Sequence, residues 1–297
     1  MKRVLALALV LSLSQPLLGA DFFRIASFNI EHLGSRTPGQ QPIAIAEHFD
    51  LSGAVVIALQ EINVSETEPD DPATPYDESR RNDSLNTAFA ILNQEGDTEW
   101  KYELFPNRSP GDTTQLCGVA WGAKVITRDS AAFAIPVTGS TIWDRRPHAV
   151  KLQYGTNKSD IVLINVHMKS NFGSAAEGRA TREREAEALV EHLPAVVANF
   201  DDEDIIIAGD TNFLSADEAA SIIFEEAGFR DTNSLDFPTY IGSGRGAPFD
   251  RFFVATSPTF RFARQYILQA TEPIAHDEFL SDHQMVLMSF RVTNDND

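Results

Sequence analysis

The segment Ile205-Ile206-Ile207-Ala208-Gly209-Asp210-Thr211-Asn212 runs from a fully apolar stretch into an acid and an amide, and Leu280-Ser281-Asp282-His283 repeats the theme near the C-terminus. The apolar part reads as a buried strand. Ionisable side chains beside such a run must be paired, metal-bound or held at the mouth of a cleft, because burial penalises a bare charge. These two segments point to a hydrolytic site at the ends of buried strands.

Working outward, further strand patterns are bounded by polar or Gly/Pro punctuation: Phe23–Phe28, Ala54–Leu59, Leu116–Trp121, Ala149–Gln153, Ile161–Val166, Phe252–Ala255 and Met285–Val292. Helical periodicity covers Asn82–Gln94 and Thr181–Ala198, with Pro194 expected to kink or divide the second. Strand-helix-strand units alternate with adjacent strands in each half. An α/β fold satisfies this order: a four-layer α/β/β/α sandwich, two mixed β-sheets packed face to face with helices outside. No linker-like stretch divides the chain, so residues 21–297 are expected to form one domain. The acidic, Pro-containing segment Ser65–Ser79 reads as a solvated loop near the site.

Four strand patterns end in a group able to hold a metal or a phosphate: Asn29, Glu61, His167 and Asp210. Ligands collect outside the carboxyl ends of strands, where the sheet stops and loops open a crevice. Alone, Asn29 or Asp210 could be a turn or cap residue, Glu61 the first solvated residue, and either histidine a satisfied polar group. Together with Asp282 and His283 they form a set that ordinary capping does not explain.

Phosphate ester hydrolysis needs a hard cation, a group that prepares a water, and an acid or cation for the leaving oxygen. Carboxylates and amides favour Mg2+, with Mn2+ or Ca2+ as alternatives, and a single cysteine rules out a thiolate-rich zinc site. A histidine held by a carboxylate can supply the proton transfers.

The segments Phe28-Asn29-Ile30, Leu59-Gln60-Glu61, Arg146-Pro147, Val166-His167-Met168-Lys169-Ser170, Gly209-Asp210-Thr211-Asn212-Phe213, Phe249-Asp250-Arg251-Phe252-Phe253 and Leu280-Ser281-Asp282-His283 resemble, in order, the motifs of the endonuclease/exonuclease/phosphatase superfamily. The resemblance spans about residues 22–292. It implies that Glu61 coordinates a divalent metal, with Asn29, Asp210 and Asp282 as ligands or orienting groups, and that Asn212 holds the scissile phosphate. It also places Asp250 beside His283 to fix its tautomer, and makes His167 the second imidazole, as in the deoxyribonuclease I branch. Arg146 resembles that branch's phosphate-binding arginine; a salt bridge with Asp144 is the competing reading. One departure stands out. The branch pairs a glutamate with the histidine matching His167, whereas Gln115 is the nearest candidate here, and a neutral amide does not raise an imidazole pKa as a carboxylate does.

The formal net charge is −19, from 24 basic and 43 acidic residues. Such a surface argues against tight, salt-sensitive DNA binding, yet it is compatible with a hydrolase that meets phosphate through metal ions. Lys2 and Arg3, the apolar stretch Val4–Leu13 and Gly19-Ala20 fit a signal peptide over residues 1–20, with an uncleaved anchor as the alternative. Export to periplasm or medium follows from it. No other run approaches membrane length, so no stable membrane insertion is expected, and a monomer is expected. Cys117, in an apolar strand pattern, reads as a buried inert thiol. The composite expectation is a secreted metal-dependent phosphodiesterase, foremost a nonspecific endonuclease acting on nucleic acid. A phosphatase or phospholipid phosphodiesterase and a catalytically silent binding module remain as alternatives. No aromatic hairpin suited to dip into a membrane is evident, which disfavours a sphingomyelinase.

Overall fold

The computed structural model describes residues 22–34, 40–96, 98–107, 113–137, 143–155, 160–243, 246–268 and 280–291; the segment 1–20, expected from sequence to be a signal peptide, lies outside them. The strands are β1 (Phe22–Leu33), β2 (Val56–Ile62), β3 (Glu66–Thr67), β4 (Arg80–Arg81), β5 (Trp100–Leu104), β6 (Leu116–Gly122), β7 (Ile126–Thr127), β8 (Phe133–Ala134), β9 (His148–Tyr154), β10 (Asp160–His167), β11 (Ile205–Asp210), β12 (Phe229–Asp231), β13 (Asp250–Ala255), β14 (Arg264–Leu268) and β15 (Met285–Arg291). The helices are α1 (Pro42–Ser52), α2 (Asp83–Glu95), α3 (Ala175–Phe200) and α4 (Ala219–Glu226).

Alternation along the strands creates the layers. In β11, Ile206 and Ala208 face a core shared with Phe23, Ile25, Val56, Trp121 and Val286, while Ile205 and Ile207 face Ala186, Leu189 and Phe224 on α3 and α4. In β2 the same alternation sends Ile57 and Leu59 toward Phe49 of α1 and Phe89 of α2. Each sheet is thus apolar on both faces, one face on the other sheet and one on a helix pair, which is the four-layer sandwich. Strand order is β14-β15-β1-β2-β6-β5 in one sheet and β12-β13-β11-β10-β9-β7 in the other. Both are mixed: β1 with β2 and β10 with β11 are parallel, and the remaining pairs in the two sheets are antiparallel.

A polar clasp crosses the apolar interface just below the strand ends. Gln60 Nε2 donates to Asn165 Oδ1 at 2.8 Å, and Asn165 Nδ2 donates to the carbonyls of Leu59 and Gly118 at 2.8 and 2.6 Å. Every one of these groups is buried, so their mutual hydrogen bonds offset the cost of desolvating them.

Three sequence expectations change in detail. Pro194 does not divide α3, which runs unbroken from Ala175 to Phe200 with Pro194 on its exposed side. The segment 65–79 is not wholly solvated: β3 pairs with β4, and Tyr76 is buried edge-on against Trp121. The elements α1, α4, β5, β7, β8, β12 and β14 are additions, as is the β3–β4 pair. Cys117 is buried, and burial pushes its thiol up to about 12, in keeping with an inert side chain. Among the described residues no helix is long and apolar enough to cross a membrane.

Candidate active site

The register of the second sheet sets three of the site residues in one row. His167 at the end of β10 pairs with Asp210 at the end of β11, and Asp210 pairs with Asp250 at the start of β13. Gly209 makes this row tight: at φ 147°, a Cβ there would lie 1.9 Å from the Val166 carbonyl oxygen. Only glycine lets β11 approach β10 so closely.

The first sheet contributes from the opposite side. A register shift in β2 between Leu59 and Ile62 coincides with φ 61° at Glu61, a left-handed conformation that a side chain adopts only under constraint. The irregularity turns the Glu61 carboxylate toward the second sheet. His32, Gln115 and Asn212 beside the site share positive φ, at 53, 52 and 56°. Two further non-glycine residues with positive φ among the described residues, Asp201 at the end of α3 and Asp236, lie outside this group of four.

Asn29 links the two sheets at this level. Its Nδ2 donates to Glu61 Oε1 at 3.1 Å and to Asp210 Oδ2 at 3.0 Å, while its Oδ1 accepts the Glu31 amide. With its nitrogen facing both carboxylates, Asn29 has the geometry of an orienting group rather than of a ligand. Glu61, His167 and Asp210 place one donor atom each within 4.8 Å of the others, and Asp210, Asp250 and His283 form a second such set. Asp282 belongs to neither set but lines the same cleft of about 480 Å³.

His283 is held from below. Its Nδ1 donates to Asp250 Oδ2 at 2.9 Å, and its Nε2 lies 3.8 Å from both Asp210 and Asp282 carboxylates. Ser281 Oγ accepts the His283 amide and donates to the Asn29 carbonyl, tying this loop to β1. Burial acts to lower the His283 pKa, but Asp250, Asp210 and Asp282 outweigh it and hold the imidazole well above its usual range. His167 is the opposite case: burial first, then Arg145 and His283, keep its ring neutral. Its Nε2 lies 3.4 and 3.5 Å from Asp210 and Glu61, and its buried Nδ1 has no hydrogen-bond partner. Asp210 is raised by burial and by the Asp250 and Glu61 charges, which together exceed the opposing pull of His283.

Glu61, Asp210 and neutral His167 fit a divalent cation on chemical grounds: hard oxygens and an imidazole converge, and like charges crowd where a cation would relieve them. Asn212 donates its backbone N–H to Asp210 Oδ1 at 2.9 Å and its Nδ2 to the Met168 carbonyl at 3.2 Å, beside the carboxylates.

Two expected contacts are absent. Arg146 is not brought to the cleft and forms no pair with Asp144; its Nε and Nη2 donate to the Ile135 and Ala134 carbonyls at 2.9 and 3.4 Å. Its neighbour Arg145 points toward the site instead, donating to the carbonyls of His167 and Met168. Gln115 accepts from Arg145 Nη1 at 3.1 Å and its Nε2 lies 3.3 Å from the His32 ring, so it is not a partner of His167.

A buried network missed by the sequence fixes the loops after β10 and β11. Arg182 of α3 makes a two-oxygen contact with Glu218 and donates to the Lys169 carbonyl at 2.8 Å and to Asn171 Oδ1 at 3.2 Å. Glu218 in turn accepts the Leu214 amide, and Asn171 Nδ2 donates to the Asn212 carbonyl at 2.8 Å. Arg182 stands four positions before Ala186 and seven before Leu189, in phase with the buried face of α3, but nothing local in the sequence names its partner 36 positions away.

No protein-family model and no curated protein matches the chain by sequence. Solved structures match over nearly its whole length. An endonuclease/exonuclease/phosphatase family protein from Bacteroides thetaiotaomicron superposes with TM-score 0.65 at 14% identity, covering 92% of this chain and 98% of that one. The human Nocturnin catalytic domain with bound sulfate anion gives 0.62 at 15% identity, over 92% and 98%. D. rerio TDP2 complexed with a single strand DNA product gives 0.59 at 14% identity, over 91% and 98%. The chain has the endonuclease/exonuclease/phosphatase fold. In this version of that fold, the acids and imidazoles converge from both sheets at the strand ends.

Proposed function

We propose that the protein is an exported, divalent-metal-dependent phosphodiesterase that cleaves nucleic-acid phosphodiester bonds as a nonspecific endonuclease. The observation that carries this reading is the Asp250–His283 pair at 2.9 Å, its free Nε2 facing the cleft beside Asp210, across from Glu61 and His167. D. rerio TDP2, which shares the fold, holds a single-stranded DNA product, and this supports a nucleic acid as the ligand class.

Glu61 and Asp210, with the neutral His167 ring, would hold the cation, and Asn29 keeps their carboxylates apart and aimed. A divalent cation supplies charge neutralisation at the phosphate oxygens and acidifies a bound water. The residues of the chain do the rest. Asp250 fixes the His283 tautomer so that Nε2 addresses the phosphate, where a protonated ring stabilises developing negative charge. Asn212, on its constrained backbone beside Asp210, faces the same cleft and orients the ester. The leading sequence supports export through a cleavable signal.

A small or lipid head-group ester is the second reading, favoured by Arg146 being committed to backbone carbonyls instead of a polyanion. Purified protein incubated with plasmid, bis-nitrophenyl phosphate and nitrophenyl phosphate, each with Mg2+, Mn2+, Ca2+ or chelator, separates them. Nicking that chelator abolishes supports the endonuclease. Monoester cleavage without nicking sinks it, and inactivity on every substrate and metal favours a binding module. N-terminal sequencing of the protein recovered outside the cytoplasm tests export.

A further inference from the structure

Phe172 is 94% exposed, the most exposed large hydrophobic side chain among the described residues. It follows His167 by five positions, on the loop leading into α3. Exposure of this degree is not the result of a loose segment. Asn171 is fixed on both sides of its amide by Arg182 and Asn212, Lys169 N donates to Glu185 at 2.9 Å, and Ser174 caps α3 by accepting the Glu177 amide. The loop is pinned before and after Phe172, and the ring is left facing solvent.

Phe172 and Ser170 line the catalytic cleft and also a second cavity of about 650 Å³ that continues from it along the first turns of α3. The charges on that second cavity are Glu177, Glu183 and Glu187 against Lys169 and Arg184. Lys169 is already 3.5 Å from Asp144. A phosphate gains nothing from such a wall. A nucleobase is uncharged, presents a π-face to an aromatic ring, and suits a cavity of this size beside a phosphodiester site.

We propose that Phe172 is a stacking platform for a nucleobase flanking the scissile phosphate, and that the adjoining cavity houses that base. The inference rests on the nucleic-acid reading above and extends it: the strand is engaged through an unpaired base, with charge neutralisation confined to the catalytic cleft. Affinity for the strand then depends only weakly on salt, because few phosphate counterions are released.

The test compares wild type, Phe172→Ala and Phe172→Trp in Mg2+ on a single-stranded oligonucleotide and on an oligomer of equal length made of abasic sites. Wild type is expected to show about tenfold higher kcat/KM on the base-bearing strand. Phe172→Ala is expected to bring that strand down to the abasic rate, and Phe172→Trp to restore it. Equal cleavage of both strands by wild type and Phe172→Ala overturns the platform while leaving the endonuclease reading in place. Cleavage of nitrophenyl phosphate by wild type with neither strand cut overturns both. Binding of wild type to phosphatidylcholine vesicles that Phe172→Ala loses, with strand cleavage unaltered, overturns the platform and assigns the ring to a lipid surface.

Discussion

Asp250 and His283 are joined by a 2.9 Å contact between Oδ2 and Nδ1, and the far nitrogen of the same ring lies 3.8 Å from Asp210. The ring therefore has one fixed orientation and one open face. Asp250→Asn keeps the shape but no longer favours the imidazolium, and His283→Ala removes the ring. Each is expected to lower turnover on a phosphodiester by roughly 10²–10⁴-fold, with the double variant little worse than either. Initial rates, with circular dichroism as the fold control, check this; losses below fivefold would remove the pair from the chemistry.

The crowding of Glu61, Asp210 and Asp250 predicts a thermal response that needs no substrate. Divalent cation bound only by the folded protein adds about 2.7 kcal/mol at a hundred times its Kd. Mg2+, Mn2+ and Ca2+ are each to be titrated against chelator in melting experiments. A rise in Tm with at least one of them is expected, and Asp210→Asn, which loses a shared carboxylate, should abolish it. An unchanged rise in Asp210→Asn would place the cation elsewhere.

Arg182 and Glu218 are both buried, and removing one partner leaves the other charge uncompensated. Arg182→Ala is expected to cost about 3–5 kcal/mol in urea unfolding, whereas Arg182→Met with Glu218→Leu should cost much less, since an apolar pair leaves no stranded charge. Activity should remain low even in the double variant, because the Lys169 and Asn171 contacts are gone. Full activity there would show that the network serves stability alone.

His148 lies stacked on Phe105 at 4.8 Å, and burial lowers its pKa to about 4. Burial has the same effect on His48. A histidine whose folded pKa lies below its unfolded value stabilises the fold while neutral. That contribution is complete above the unfolded value of about 6.5 and is lost as pH falls toward 4. For His148 the full loss is about 3 kcal/mol. Urea midpoints between pH 7.5 and 4 should fall steeply in wild type and less steeply in His148→Phe; parallel curves would refute the assignment.

The sequence makes the strand ends legible because burial imposes period-two alternation, and an acid or imidazole after such a run has few other reasons to be there. Asn29, Glu61, His167, Asp210, Asp250 and His283 are all found that way or through ordered motifs, and the structure gathers them at one cleft. Adjacent arginines are a different matter. Arg145 and Arg146 differ only in which way the turn before β9 faces them, and that is a tertiary outcome. Arg182 and Glu218 are 36 positions apart: Arg182 falls in phase with the buried face of α3, Glu218 stands just before α4, and nothing local pairs the two. The edge strand β14, Arg264-Gln265-Tyr266-Ile267-Leu268, has no fully buried position and its apolar run is only three residues long, short of the runs that mark central strands. Phe172 reads as a stray loop aromatic until its neighbours are seen to be fixed.

The Gln60–Asn165 clasp has a consequence for how the two sheets find each other. Aliphatic faces tolerate sliding: a shift of one residue pair, about 6.6 Å along a strand, still buries oil against oil. The amides do not tolerate it, because in any offset stacking they stay buried with donors and acceptors unmatched. Gln60 immediately precedes Glu61, and Asn165 stands two residues before His167, so the contact that rejects mis-stacked halves is also the one that indexes the first sheet's carboxylate to the second sheet's imidazole. Alignment of the chemistry is thereby built into the packing of the two sheets, as a vernier fixes two scales, with no need of a substrate or an ion.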